Sequence, residues 1–403
     1  MKPTVKVSKA GFVSLIAAAA ASVASAATTI RVDSATQRWP WNNKVDITYT
    51  VTDGQDVSAP KFYKIVFTTV IDGNTTVIDG STLGASAETG THTVTWTAPS
   101  GVRSAQCTMS AAIYDSDVPS GNDYMIIDLS TGVITYEGLF ATQPESDARY
   151  NTDTYKTVKL VLRKVPAGGP YRLLSDTTKT TDRDYYIGIF PLTQGQYARV
   201  GGDRVRSDIA ISSEVMTPMN WISCNDLRLS TTATTSSIPT VATADTGTFF
   251  QRLNYKTGNT FSFDIPTIAM FMIAARAGVT TEYFWDSDTM DESKVVCKGN
   301  EGKLEVVGSR SANNWGLFDV NGNVFEWGLD SSWGSSDLSS IQSFKNLTNI
   351  FVPKCDGTAT RAWLGGGAYN SASTLNWFKL RYASSGEANP GSDRGFRVSV
   401  IMD

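Results

Sequence analysis

The chain has 403 residues, with 35 Lys and Arg against 39 Asp and Glu, a formal net charge of −4 and one histidine, His92. A single imidazole excludes a His-based zinc centre and leaves at most one His-dependent acid–base site, which also disfavours a serine triad. No basic cluster stands out, so no phosphate-binding surface is expected and nucleic acid is not an expected partner.

Residues 1–26, MKPTVKVSKAGFVSLIAAAAASVASA, carry Lys2, Lys6 and Lys9, then an uncharged apolar stretch, then Ala24-Ser25-Ala26. This is the three-part pattern of a secretory signal peptide. The apolar stretch is short for a bilayer span of about 20 residues, and no second run is long enough, so no membrane span is expected. No Cys marks the cleavage site, which argues against a lipid anchor. The expected location is therefore periplasmic, cell-surface or extracellular. Cleavage after Ala26 leaves 377 of the 403 residues and takes the net charge from −4 to −7. That length suits two or three domains.

Residues 27–140 read as short alternating strands. KVDITYTV places Val45, Ile47, Tyr49 and Val51 on one face, and FYKIVFTTV runs up to a turn at Asp72-Gly73. His92 lies in GTHTVTW, in register with Val94 and Trp96, and is read as a structural side chain. QCTMSAAIYD alternates Cys107, Met109, Ala111 and Ile113, and YMIIDL and GVITY follow. The pattern predicts an all-β sandwich of immunoglobulin or fibronectin style, acting as a spacer or accessory module. Residues 141–157 are polar and poor in aliphatics, which suits a linker.

From residue 158 to 403 the character changes to α+β, with short helices among Gly- and aromatic-rich loops. TVKLVLRKV is a strand. LTQGQYARV is a helix capped by Thr193, and IPTIAMFMIAARAG is a helix started by Pro266-Thr267 and ended by Gly278. The second helix is apolar almost all round, so it is expected to be buried on most sides. Cys107, Cys224, Cys297 and Cys355 are scattered, with no CxxC. Export permits disulfides, and four cysteines allow three pairings. Cys297 with Cys355 is favoured, and free buried thiols are the alternative.

Several segments resemble one family in order. They are DYYIGIFPLTQGQYARV, TPMNWISCNDLR, IPTIAMFMIAARAGVTTEYFWD, WGLFDVNGNVFEW, WLGGGAY and DRGFRVSV. Together they resemble the formylglycine-generating enzyme, or sulfatase-modifying factor, domain. The resemblance implies an elaborated C-type-lectin-like fold with many ordered loops. It also implies a copper-dependent oxidase that converts a sulfatase cysteine to formylglycine, with copper held by two cysteines just after the GG-aromatic motif. Those positions fall near Ser371 and Asn376, and neither is Cys. Monovalent copper prefers soft thiolates, so copper is not expected and the family's reaction is expected to be absent. The long helix departs as well, with Ile268, Met270 and Met272 where family members usually carry acids. This implies a more deeply covered helix, under the N-terminal domain or a partner.

In DVNGNVFEW, Asp319 and Glu326 flank a Gly-containing turn, and carboxylates with main-chain carbonyls are what a hard cation takes. By resemblance, a structural calcium would take the side chains of Asp319 and Glu326 and the carbonyls of Gly322 and Val324. Asn321 and Asn323 suit left-handed backbone and turns. Trp315, Phe318, Phe325 and Trp327 suit the core.

The C-terminal loops supply candidate ligand-binding residues: Tyr369, Asn370, Ser371, Asn376, Trp377 and Ser384. Aromatic, Asn and Ser side chains make adaptable contact surfaces. The expected function is an exported, non-catalytic recognition module for an extracellular protein or glycan. The copper oxidase and a structural cell-surface protein stand as alternatives.

Overall fold

The computed structural model describes residues 28–38, 42–52, 62–71, 74–99, 108–116, 118–119, 121–201, 215–228, 247–331, 335–353, 360–364, 366–383, 385–387 and 390–402. Residues 1–26, the Asp72-Gly73 turn, Cys107, Cys355 and Ser384 lie outside these, as does the side chain of Cys224. The chain divides into two compact units, Met1–Tyr124 with Thr135–Phe140, and Met125–Ile134 with Ala141–Asp403. No helix among the described residues is long and apolar enough to cross a membrane.

The first unit holds β1 (Thr29–Gln37), β2 (Lys44–Thr52), β3 (Phe62–Ile71), β4 (Asn74–Asp79), β5 (Gly90–Thr97) and β6 (Thr108–Ser116). They form two three-stranded antiparallel sheets, β1-β2-β5 and β4-β3-β6. Alternation sets the core: Val45, Ile47, Tyr49 and Val51 share one apolar cluster with Ile65, Phe67, Val94, Trp96 and Ala111. Full burial of such a side chain contributes about 1.5–3 kcal/mol. His92 faces Tyr49 across the β2–β5 ladder, with ring centroids 5.5 Å apart. Its Nε2 meets the Glu88 carbonyl at 2.8 Å, a structural placement.

Next come β7 (Tyr124–Asp128), β8 (Ile134–Glu137), α1 (Gln143–Tyr150), α2 (Asp153–Thr157) and β9 (Lys159–Val165). The stretch read as a linker is thus two helices. Its polarity comes from caps and outer faces. Thr142 accepts the Glu145 N–H, and the Glu145 carboxylate accepts the Thr142 N–H at 3.1 Å, a reciprocal capping box. Two aromatic side chains anchor the pair, Tyr150 and Tyr155, both buried and edge-on at 5.3 Å. YMIID also departs from the sandwich reading. Tyr124 to Ile127 are all buried, the continuous pattern of a strand covered on both faces. β7 pairs into a sheet with later strands.

Those later elements are β10 (Gly168–Arg172), β11 (Thr178–Thr181), β12 (Tyr185–Gly188), α3 (Gln194–Gly201), α4 (Cys224–Arg228), α5 (Phe249–Lys256), β13 (Phe263–Asp264), α6 (Ile268–Arg276), β14 (Phe325–Ser331), β15 (Thr360–Leu364), β16 (Ser385–Glu387), β17 (Arg394–Gly395) and β18 (Ser399–Ile401). The larger sheet runs β13-β18-β12-β9-β7-β8, and a four-stranded sheet runs β16-β15-β14-β17. In the second, β14 pairs parallel with β17, which lays the end of the 313–327 loop beside DRGFR.

Both helices read in the sequence are present. Thr193 Oγ accepts the Gln196 N–H at 3.1 Å, and Gln196 Oε1 accepts the Thr193 N–H at 3.0 Å, so α3 has a reciprocal cap. Thr267 Oγ accepts the Met270 N–H at 3.1 Å and caps α6. The left-handed turn that ends α6 falls first on Ala277, at φ 46°, with Gly278 following at φ 92°. Every residue of α6 is buried. Its cover comes from its own unit: Met270 and Met272 pack in a cluster with Leu173, Leu174, Tyr185, Leu317, Phe351 and Phe378. All the described residues named in that cluster belong to the second unit.

Cys297 is a free thiol, buried in that same cluster, so it is not bonded to Cys355. The Cys297 N–H donates to Asn300 Oδ1 at 3.0 Å and its carbonyl accepts from Glu301 and Gly302.

Candidate functional site

The loop 313–327 is built from the backbone outward. Asp319 and Asn323 sit in the left-handed region, at φ 51° and 63°, with Gly322 at φ 90°. Gly322 is required by space as well, because a Cβ there would meet the Val296 carbonyl at 2.6 Å. Asn323 exchanges two hydrogen bonds with the Glu305 backbone, at 3.1 and 3.2 Å, and Asn321 donates to the Phe378 carbonyl at 2.9 Å. Asn321 Oδ1 is buried with no partner among the described residues. Trp327 donates its indole N–H to the Ile222 carbonyl at 2.8 Å.

The two acids of the loop go separate ways. Glu326 is buried and grips Arg397 with both oxygens, at 3.0 Å to Nε and 2.9 Å to Nη2. Arg397 is equally buried and spends its other N–H groups on the Gly188 and Phe318 carbonyls, each at 2.8 Å. A bidentate pair of this kind stays together because neither ion has water to return to. Burial still pushes the Glu326 carboxyl above its ordinary range, against the pull of Arg397.

Asp319 has less support. Its Oδ2 accepts the Gly308 N–H at 2.7 Å. Burial pushes its pKa up to about 6, opposed by that hydrogen bond and by the Arg397 charge, while Glu326 adds to the rise. Lys156, nearly buried on α2, moves down for the same reason of burial. Gly322 offers its carbonyl to the Val324 N–H at 2.8 Å. Among the described residues, no three His, Cys, Asp or Glu side chains converge as metal ligands would.

The C-terminal loops differ from one candidate residue to the next. Asn370 and Asn376 are exposed, and Tyr369 and Trp377 are half-buried. Trp377 packs edge-on against Phe325 at 5.2 Å, and Asn370 donates to Asp393 at 3.3 Å. Ser371 is 4% exposed, so it is not a surface residue. Its Oγ accepts the Ala368 N–H at 3.2 Å and its carbonyl accepts the Lys298 N–H at 3.0 Å. Tyr369 and Asn370 thus lie on one stretch with Asn376 and Trp377, Asn370 meeting Asp393 and Trp377 meeting Phe325, while Ser371 is withdrawn into its own turn.

A family model described as a sulfatase-modifying factor enzyme 1-like domain matches residues 153–401, more than half of the chain. The chain belongs to this family. The match starts at the first residue of α2, within the stretch 141–157. The crystal structure of CarF is similar at 15% identity and a TM-score of 0.39, covering 60% of this chain and 99% of its own. No curated protein matches the chain.

Reading the sequence passed over three residues that organise the sulfatase-modifying factor domain. Asn313 caps the end of α6, donating to the Ala274 and Ala275 carbonyls at 2.8 and 2.9 Å and accepting the Trp315 and Leu317 N–H groups. Arg276 holds the Val279, Thr281 and Leu380 carbonyls, and burial takes its guanidinium down to about 10. Arg397 carried a signal: it is a lone cation in the apolar run of GFRVSV, and a buried cation needs a buried acid.

Proposed function

We propose that this chain is an exported, non-catalytic recognition module, presenting Tyr369, Asn370, Asn376 and Trp377 to an extracellular protein or glycan. The observation that carries the reading is the state of the two positions where family resemblance puts the copper-binding cysteines. Ser371 is buried and bonded inside its own turn, and Asn376 is exposed at the start of a short helical turn. Hydroxyl and amide donors do not fit monovalent copper. Cys297 lies next to Lys298, which bonds Ser371, but one buried thiol does not make a thiolate pair.

The same reading assigns Arg397, rather than calcium, as the cation of the 313–327 loop. Both Glu326 oxygens are committed to it, which leaves Asp319 as the one carboxylate for a hard ion. The signal-peptide pattern of residues 1–26 supports export. The ordered loops support a lectin-like frame, and the two packed N-terminal sheets support an immunoglobulin-like spacer. Titration of the mature protein over arrayed peptides and oligosaccharides tests recognition. Selective, saturable binding weakened by Asn376→Ala or Asn370→Ala is the expected result. Self-assembly with no ligand bound contradicts it.

A further inference from the structure

One side chain beside this surface is out of keeping with its surroundings. Trp221 is 59% exposed, the only exposed side chain between Met219 and Ser223. Its backbone is left-handed at φ 53°, a region that L residues with bulky side chains avoid. The chain holds it there from both sides. The Met219 N–H donates to the Leu192 carbonyl at 2.7 Å, the Trp221 N–H to the Gly391 carbonyl at 2.9 Å, and Asn220 Nδ2 to the Ser392 carbonyl at 2.8 Å. The Ile222 carbonyl receives the Trp327 indole N–H at 2.8 Å. The backbone is thus fixed in a strained conformation that leaves more than half of the Trp221 side chain exposed. Strain kept at an exposed position points to binding.

The neighbours define the chemistry. The turn Gly391–Asp393 that holds Asn220 and Trp221 on one side holds Asn370 on the other, through Asp393 at 3.3 Å. Asn220, Ser392 and Asp393 are half-buried and Asn370 is exposed. The backbone thus ties an exposed tryptophan to the turn that carries Asp393, whose carboxylate meets Asn370 at 3.3 Å and Arg394 at 3.7 Å, so the groups joined through this turn are amide, carboxylate and guanidinium. An apolar peptide anchor needs a concave apolar pocket. A pyranose ring needs one aromatic face for its C–H surface and adjacent amides or carboxylates for its hydroxyls.

We propose that Trp221 is the stacking platform of a carbohydrate subsite completed by Asn370 and Asp393, which rests on the recognition reading above and names its ligand class. The test uses the mature full chain on arrayed neutral hexose and N-acetylhexosamine oligosaccharides, beside arrayed peptides, with melting curves for each variant. Selective sugar binding is expected, with affinity lowered about tenfold or more by Trp221→Ala and largely kept by Trp221→Phe. Trp221→Asn separates function from folding, because Asn accepts left-handed backbone. It is expected to melt at an equal or higher temperature than the parent and still lose the sugar. Sugar binding unchanged by Trp221→Ala overturns the platform and leaves recognition standing. Binding of peptides alone overturns the sugar class, and absence of all binding overturns both readings. A lowered melting temperature for Trp221→Asn with sugar binding intact assigns Trp221 to the fold and also overturns the proposal.

Discussion

Asp319 is the residue whose ionisation the fold resists. Its pKa in the fold is about 6, against an ordinary 3.8. The folded state therefore binds more protons than the unfolded chain between those values, and this group's contribution to stability falls as pH rises from about 4 to 6. The full effect is at most about 3 kcal/mol. Asp319→Asn keeps an acceptor for the Gly308 N–H and removes the buried charge. It is expected to raise the melting temperature at pH 7.5 by about 2–6 °C and to flatten the pH dependence of unfolding between pH 4 and 6. A drop in melting temperature on the same substitution would indicate that Asp319 holds a cation. Arg397→Met leaves Glu326 buried and unpaired and is expected to cost about 3–5 kcal/mol in denaturant unfolding, with no rescue by added calcium. Recovery of stability in calcium would return the loop to an ion cage. At this scale the sequence showed which residues are special and left open how they pair. Asp319 and Glu326 stood out as acids around a Gly turn, but the partner of Glu326 lies 71 residues beyond it, after a parallel strand pair, and Asp319 is bonded instead to the Gly308 N–H.

Helices α3 and α6 were legible because their signals are local. Thr193 and Thr267 are N-caps a few residues from the groups they satisfy, and an all-apolar α6 belongs inside. The C-terminal end of α6 was legible only in part. A glycine was the obvious left-handed residue, yet Ala277 takes the turn first, and the last carbonyls go to a side chain 38 and 39 residues away. Asn313→Ala should therefore cost more than an ordinary cap. It strands two carbonyls at the helix end and two N–H groups of the loop, and a loss of about 2–4 kcal/mol in equilibrium unfolding is expected. A loss under about 1 kcal/mol would show that water replaces Asn313 at all four contacts.

At the scale of the whole chain, composition separated a β-rich first part from a mixed second part, and the structure keeps that division. The helices at 141–157 and the place of β7 were hidden for a physical reason. Two short helices, each with one buried tyrosine, are polar enough to read as a linker, and a strand covered on both faces does not alternate. α2 is tied to the second unit through Gln196, which donates to the Tyr155 and Lys159 carbonyls at 3.0 and 2.8 Å, and β7 stands next to β9 in the larger sheet. A chain cut to residues 158–403 is thus expected to express as aggregate, and one spanning 121–403 to stay soluble and melt cooperatively. Equal solubility of the two would show that the helices and β7 are dispensable. The central claim is that this sulfatase-modifying factor domain recognises without oxidising. It is tested most directly by mass spectrometry of a peptide carrying the sulfatase cysteine motif, incubated with the purified protein, copper and oxygen. The account predicts a peptide whose cysteine is recovered unchanged. Enzyme-dependent conversion of that cysteine to the formylglycine aldehyde would contradict it.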